Sequence, residues 1–428
     1  MRRTLSFEQT PEISIPFRFF LSAPVFAMLA ALLLAWVGPA GFASQWTPPV
    51  LAITHLLTLG FLSMTMAGAL MQILPVVAGA IVPKANWVAK CVHLLLSFGT
   101  ILLASAFMTF SPKLFGVAAI CLIGGLGLLI CAALLGLWRC DERSATVTSI
   151  RFSLVSLVIV IALGATLALS FIYPIHIPFR DLLDLHVAWG LLGWVAMLVF
   201  GVAFQVIPMF QVTPLYPRRF TAVFGGILFA LMLMLSVAHY AFPVLSFFVA
   251  MLISGILVAA AIVTLYLLAM RRRPSADVTT LYWRCAMFSL LTAICLWIFL
   301  ARSDDGRWTL IWGALFVVGF GVSVVNGMLY KIVPFLVWYH LQEQATDRTT
   351  VVPSVKQILP DTIAKRQFYL HLTALLLLVA GIYWPTFLLR IAAGSFCFSF
   401  GVLWLQLYKT VIGYSSHSKK FRHRSFAA

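Results

Sequence analysis

Three histidines lie in strongly apolar stretches of this 428-residue chain. His55 stands in TPPVLAITHLLTLG, His186 in RDLLDLHVAWGLLG and His239 in LSVAHYAFP. Ionisable side chains are rare in such stretches, and where they occur they usually serve function. An imidazole binds metal or haem iron through one ring nitrogen while a carboxylate or carbonyl holds the other. The three histidines are therefore the candidate cofactor ligands.

A second interpretation is open for each histidine, namely a core residue satisfied by one internal hydrogen bond. His55 precedes Gly60 by five residues, whereas His186 precedes Gly193 by seven. A two-residue difference rotates a side chain by about 200° around a helix axis. His55 and His186 therefore cannot occupy the same point of a repeated helix unless the helices themselves are rotated.

The two glycines just named belong to a motif that occurs three times: a glycine, a second glycine eight residues later, and a proline seven residues beyond that. The copies are Gly60, Gly68 and Pro75; Gly193, Gly201 and Pro208; and Gly319, Gly327 and Pro334. The glycine and proline contents predict about 0.08 chance occurrences of this spacing, and recurrence at a long, nearly fixed period indicates internal repeats. The chain is predicted to use one unit three times.

The composition indicates that these repeats lie in a bilayer. Hydrophobic residues make up 62% of the chain and charged residues 10%, with a mean hydropathy of +1.04. A spanning helix needs about 20 mostly apolar residues. Twelve such stretches predict an all-α polytopic membrane protein with a single transmembrane domain over residues 1–428. Its three pseudo-symmetric four-helix repeats are predicted at about 16–138, 149–270 and 280–412, followed by a basic tail over 413–428.

The repeated motif falls on the second helix of each predicted repeat. Helical geometry places its two glycines and its proline within a sector of about 80° on one helix face. Small residues let a neighbouring backbone or a flat ligand approach closely. Two interpretations follow: the faces are helix-packing seams, or they line the interior of the bundle around a cofactor or pathway. The proline is expected to break each helix near its cytoplasmic end.

The charge distribution predicts the orientation. All but five of the 29 Lys and Arg residues fall on one side of the twelve segments if the N-terminus is cytoplasmic. The positive-inside rule then places both termini in the cytoplasm. Basic loops facing anionic lipid headgroups account for the net charge of +17, so the lipid bilayer is the expected partner and nucleic acid is not.

The second segment also carries a family resemblance. The run THLLTLGFLSMTMAGALMQILPVVAGAIVPKANW is similar to the second helix of the haem-copper oxidase subunit I superfamily, with a haem-ligand histidine, mid-helix glycines and then proline. The opening PFRFFLSAPVFAMLAALLLAW resembles the first helix of NnrS proteins. The resemblance implies a twelve-helix, haem- and copper-containing protein linked to nitric oxide stress, in a bacterial inner membrane.

The chain departs from those families at several points. The tenth segment, RWTLIWGALFVVGFGVSVVNGMLYKIVP, contains no histidine, and Ala314 and Trp312 stand where His55 and His186 stand in their own segments. The paired histidines of the copper site are missing, so copper is not supported. The seven cysteines form no CxxCH haem-attachment motif. The chain is therefore not expected to reduce oxygen as the oxidases do.

Two functions from different classes remain. The first is a haem- or metal-binding membrane protein, redox or nitric-oxide related, with His55, His186 and His239 as candidate ligands and a redox partner or small gas as its counterpart. The second is a cofactor-free transporter, permease or assembly protein. Polar residues near mid-membrane are few, chiefly Gln72, Gln205 and Asn326, and this favours the first. Whether the chain is an enzyme is left open.

Overall fold

A computed structural model describes residues 10–140, 142, 144–300, 305–345 and 351–425. It consists of long helices, twelve of which are long and apolar enough to cross a membrane. They are α1 Ser14–Gly41, α2 Pro48–Ala78, α3 Ala85–Thr109, α4 Pro112–Trp138, α5 Ala145–Ser170, α6 Phe179–Gln211, α7 Arg218–Ala241, α8 Pro243–Ala269, α9 Val278–Leu300, α10 Gly306–Gln344, α11 Asp361–Tyr383 and α12 Pro385–Ser425. The predicted twelve-helix, all-α architecture is confirmed.

An even number of crossings brings both ends of the chain to one face of the bundle, which we call the terminal face. We call the other side the opposite face. Four of the five basic residues predicted there stand at its helix ends: Lys113, Arg180, Arg307 and Arg390. The fifth, Arg302, lies outside the described residues. So do four of the basic residues predicted on the terminal face: Arg2, Arg3, Arg143 and Arg348. That the terminal face is cytoplasmic stays a prediction.

Three helices form the centre of the bundle. In the most apolar window of each helix, 72% of the residues are buried in α2, 72% in α6 and 67% in α10, against 28–44% in the other nine. A helix that faces lipid leaves much of its apolar surface exposed, so the low values mark a surrounding ring. The glycine–glycine–proline helices are therefore the three that other helices enclose.

Each pair of motif glycines packs against the helix that precedes its own, and we call these contacts the glycine seams. A Cβ atom added at any of the six glycines would come within 3 Å of a side-chain atom of that helix. The pairs are Gly60–Phe26 and Gly68–Phe19 on α1, Gly193–Ser156 and Gly201–Ser149 on α5, and Gly319–Ser289 and Gly327–Tyr282 on α9. In every seam the two partners are seven residues apart, so the six contacts repeat one geometry.

A wider, π-helical stretch interrupts each central helix beside its first motif glycine. The stretches are Leu56–Ser63, Trp189–Ala196 and Ala314–Val322. They begin four or five residues before that glycine. π-helical turns are rare and frequently occur at functional sites. Superposition of the three groups under rotation stays a prediction, although seams and π-helical stretches recur at matching places.

The expectation that each motif proline breaks its helix is wrong for α10. That helix continues ten residues beyond Pro334, to Gln344, and α6 continues three residues beyond Pro208. Only α2 ends in a turn beside its proline, where the π-helical stretch Leu74–Ala78 is followed by Gly79 in a left-handed conformation. Membrane helices tolerate an internal proline because neighbouring groups and local adjustments satisfy the freed carbonyl.

An ion pair ties α10 to the start of α9 near the terminal face. Lys331 Nζ lies 3.0 Å from Asp277 Oδ2, and the Thr280 backbone N–H donates to Asp277 Oδ1 at 2.9 Å. Burial acts to raise the pKa of the Asp277 carboxyl, but the Lys331 ammonium and the hydrogen bonds from Thr280 outweigh it and hold the pKa below its usual value. This carboxylate therefore stabilises the fold in its charged form.

The glycine seams predict a sharp difference between two Gly→Ala changes. A Cβ at Gly201 would lie 2.4 Å from the Ser149 Cβ, whereas at Gly255 in α8 no atom lies within 4 Å. We expect Gly201→Ala to lower the free energy of unfolding by about 1–3 kcal/mol through overpacking. Gly255→Ala should be neutral or raise it by up to about 1 kcal/mol. Thermal unfolding in detergent measures both, and equal effects would contradict the seam.

The Asp277 ion pair predicts a pH dependence. Asp277→Asn should destabilise the protein by about 1–3 kcal/mol at pH 7, since it removes a charged hydrogen-bond acceptor. Because the folded-state pKa lies below the unfolded value of about 3.9, the stabilisation is complete above pH 4 and is lost as the pH falls below it. Thermal unfolding of both proteins from pH 7 to pH 3 tests this, and a difference that does not shrink in acid would contradict it.

Candidate functional site

A large cavity of about 1020 Å³ opens between the central helices in the half of the bundle nearer the opposite face. All twelve helices contribute to its walls, which are mostly apolar. Ligand pockets commonly measure about 300–1,000 Å³, are mainly apolar, and carry a few convergent polar groups. His55, His186 and His239 all line this cavity, so the structure brings the three candidate ligands to one chamber. None of the six motif glycines lines it.

His55 from α2 and His186 from α6 lie close together inside the large cavity. Their ring centroids are 6.4 Å apart and their ring planes differ by 23°. Phe107 of α3 also lies beside His55, with ring centroids 5.3 Å apart. The two histidines meet although their registers differ by two residues. The pair therefore arises from two non-equivalent positions of the repeated helices.

Backbone carbonyls hold the Nδ1 atom of each imidazole. His55 Nδ1 lies 2.8 Å from the Leu51 carbonyl oxygen, one turn earlier in α2, and His186 Nδ1 lies 3.2 Å from the Val160 carbonyl oxygen of α5. A carbonyl only accepts hydrogen bonds, so Nδ1 must carry the proton and Nε2 of the neutral ring has a free lone pair. Within the described ranges, neither Nε2 has a hydrogen-bond partner. This is the arrangement that metal-binding histidines adopt.

His239 of α7 has a different partner. Its Nε2 lies 3.3 Å from Asp181 Oδ1 at the start of α6, and its ring contacts Tyr240. In the part of the chain that the structure describes, no ring contact joins it to His55 or His186. The structure thus brings two of the three candidates together and leaves the third at the wall, beside a carboxylate.

Further polar groups lie around the paired rings. Asp184, two residues before His186 and expected from the sequence to lie near it, lines the large cavity, as does Thr58, three residues after His55, which was not expected. Trp194 Nε1 donates to Ser63 Oγ at 3.1 Å at the deep end of this cavity. Thr58 could have been found from its spacing to His55, but the Trp194–Ser63 bond joins residues that the sequence does not connect.

Gly164 of α5 leaves room for the His186 ring. A Cβ atom at Gly164 of α5 would lie 2.9 Å from His186 Cε1. Any larger side chain at this position would push the imidazole away from the Val160 carbonyl. On α10, Trp312 and Ala314 line the same cavity. They supply only indole and methyl surface where α2 and α6 supply imidazoles.

Two further histidines within the membrane helices are bound elsewhere. His93 Nε2 of α3 lies 2.7 Å from Ser22 Oγ of α1, and His371 Nε2 of α11 lies 2.8 Å from Ser323 Oγ of α10. Neither lines the large cavity. Both are hydrogen-bonded core residues, and His93 can serve as a control for the paired rings.

The donor set restricts the cofactors that this site could hold. Across the described residues, no group of three or more His, Cys, Asp or Glu side chains could bind a metal ion. A bare zinc or copper ion requires three or four protein ligands. Haem iron receives four nitrogens from the porphyrin and needs only one or two side chains. Two opposed imidazoles therefore fit haem better than a free ion.

No family model and no curated protein matches this chain. The resemblance of its first two helices to the haem-copper oxidase subunit I superfamily and to NnrS proteins therefore stays a prediction.

The hydrogen bonds to Leu51 and Val160 predict one tautomer for both rings. In ¹⁵N-histidine-labelled protein without added metal, His55 and His186 should show a protonated Nδ1 and an unprotonated Nε2. Their resonances can be assigned by loss in His55→Gln and His186→Gln. His93, which is bonded to Ser22 through Nε2, serves as the comparison. An Nε2–H tautomer at both cavity histidines would contradict the geometry.

Proposed function

We propose that this protein binds haem in the large cavity, with His55 and His186 as its two protein ligands. The carrying observation is the distance between their rings. Metal–imidazole bonds are about 2.0–2.1 Å long and the ring centre lies about 1.1 Å beyond the bonded nitrogen, so two imidazoles on opposite sides of one metal, each with Nε2 directed at it, would place their centroids about 6.3 Å apart. The observed separation is 6.4 Å.

The surroundings support this assignment. Apolar walls suit the faces of a porphyrin, and the carbonyls that hold Nδ1 orient both rings and increase the basicity of Nε2. Arg180 at the start of α6 lies over the ring of Trp46, which lines the cavity, with 5.9 Å between the guanidinium carbon and the ring centroid. This guanidinium is positioned to pair with a porphyrin carboxylate at the mouth of the cavity.

The proposed ligand set also limits the chemistry. Haem held by these two residues would supply reversible one-electron transfer. His55 would be the more firmly oriented of the two, because its 2.8 Å bond to Leu51 is shorter than the 3.2 Å bond from His186 to Val160 of α5. These features fit electron transfer or a nitric oxide response, and not oxygen reduction.

With His55 and His186 as the two ligands, His239 would not be needed to hold the haem. We assign this residue to the cavity wall, where its Nε2 lies 3.3 Å from Asp181 Oδ1 and makes no hydrogen bond among the described residues. We further propose that the protein lies in a bacterial inner membrane with both termini cytoplasmic, which the uneven distribution of Lys and Arg supports. We also propose that its three four-helix groups are related by rotation about the membrane normal, which the matching glycine seams support. The alternative, a cofactor-free transporter or assembly protein, would leave both imidazoles facing an empty or aqueous chamber.

Optical spectra of ligand variants test the haem proposal. The detergent-purified protein, titrated with haemin, should show a six-coordinate low-spin spectrum when oxidised and after dithionite reduction. His55→Ala or His186→Ala removes an axial ligand, so the spectrum should become five-coordinate and the affinity should fall by at least about tenfold. Gly164→Val should act in the same direction, because its side chain displaces His186 without removing an imidazole.

The matched control is His93→Ala, which removes a membrane histidine outside the cavity and should leave the spectrum and affinity unchanged. His239→Ala should also retain six-coordinate iron. Failure of the wild-type protein to bind haemin, or equal binding by a His55→Ala/His186→Ala double variant, would contradict the proposal and favour the cofactor-free alternative.

A further inference from the structure

A second, smaller cavity lies on the same central axis, in the half nearer the terminal face. It measures about 150 Å³ and is enclosed mainly by α2, α6 and α10. It begins where the large cavity ends on all three central helices. Ser63, Trp194 and Val318 line the large cavity, and Thr65, Leu198 and Val324 line the small one. The two chambers are therefore stacked along the axis.

Among the residues that the structure describes, four buried polar atoms that line the small cavity have no hydrogen-bond partner: Gln72 Oε1, Thr65 Oγ1, Trp283 Nε1 and Thr10 Oγ1. Gln72, Thr65 and Trp283 are 9%, 5% and 1% exposed, respectively. Native proteins leave very few buried polar groups unpaired, and such a group usually marks an unseen water or ligand. Four around one chamber point to an occupant.

The orientation of Thr65 strengthens this inference. Helix threonines in this protein commonly donate to the carbonyl four residues earlier, as Thr58, Thr100 and Thr264 do at 2.7–2.8 Å. Thr65, on the same helix as Thr58, makes no such bond in the structure as described. Its hydroxyl is thus available to the chamber, seven residues from Gln72 and therefore on the same face of α2.

The chemistry of these groups defines the occupant. The Gln72 carbonyl accepts, the Trp283 indole N–H donates, and the Thr65 and Thr10 hydroxyls do both. Of the residues that the structure describes, no Asp, Glu, Lys, Arg or His lines the chamber. A charged ligand would lose its hydration there without gaining a counterion. We propose that the small cavity is a second binding site, for a small uncharged molecule that both donates and accepts hydrogen bonds, either water or a compact polar solute.

The layer between the chambers is closed in this structure. Trp194 donates to Ser63 across it, and a Cβ atom at Gly321 of α10 would lie 3.1 Å from Leu62 of α2. On either side of this layer, α2 presents Thr58 to the large cavity and Thr65 and Gln72 to the small one. The second site is therefore separate from the histidine pair and does not depend on haem. Its occupant would reach the large cavity only if the Trp194–Ser63 contact opened.

Cysteine reactivity tests the second site. Thiols react as thiolates, which form readily in water and poorly in apolar surroundings. Gln72→Cys and Thr65→Cys are treated in the folded protein with methyl methanethiosulfonate, a small uncharged reagent, and the modified peptides are quantified by mass spectrometry. We expect both to react at least about tenfold faster than Thr100→Cys, a fully buried position that lines neither cavity. Thr58→Cys in the large cavity is the positive control.

Rates for Gln72→Cys and Thr65→Cys as low as that for Thr100→Cys, with Thr58→Cys reactive, would overturn the proposal. Acetamide, urea and glycerol distinguish the two sources of the occupant. Slower modification of Gln72→Cys in one of these solutes, with Thr58→Cys unaffected, identifies a solute-binding site. Unchanged rapid modification in all three identifies bound water.

Discussion

The close contact between each central helix and the helix before it is the constraint on which the rest of this structure depends. Six glycines allow α2, α6 and α10 to lie so near α1, α5 and α9 that one added carbon at any of them would approach a neighbouring side-chain atom to within 3 Å. In lipid, such packing replaces the hydrophobic driving force that joins helices in water. Because the glycine face of each central helix packs in a seam, its remaining faces turn toward the common axis.

The two cavities follow from this packing of the glycine faces. The π-helical stretches of α2, α6 and α10 line the large chamber, and the same three helices enclose the small one beyond those stretches. Imidazoles from two of the three helices enter the large chamber, while amide, hydroxyl and indole groups face the small one. The same scaffold thus provides an apolar chamber with two imidazoles and a second chamber with four unpartnered polar atoms among the described residues.

Much of the fold could be predicted from the sequence because membrane helices are read from length and hydropathy. All twelve helices, and the place of the glycine motif on the second, sixth and tenth, were predictable. The prediction that α10 breaks at Pro334 is wrong, since this helix extends ten residues past the proline. His55 and His186 could be named as candidate ligands from the sequence, but their 6.4 Å pairing depends on helix rotation and on the Val160 carbonyl, 26 residues from His186. The small cavity depends on rotamers, such as that of Thr65, that a sequence does not specify.

The most direct test of the account is a high-resolution cryo-electron microscopy structure of the haemin-loaded protein. The account predicts a porphyrin in the large cavity with iron about 2.0–2.1 Å from Nε2 of both His55 and His186, and with Nδ1 of each ring still bonded to the Leu51 and Val160 carbonyls. Haem bound at any other position, or a large cavity holding only water or lipid at saturating haemin, would contradict it.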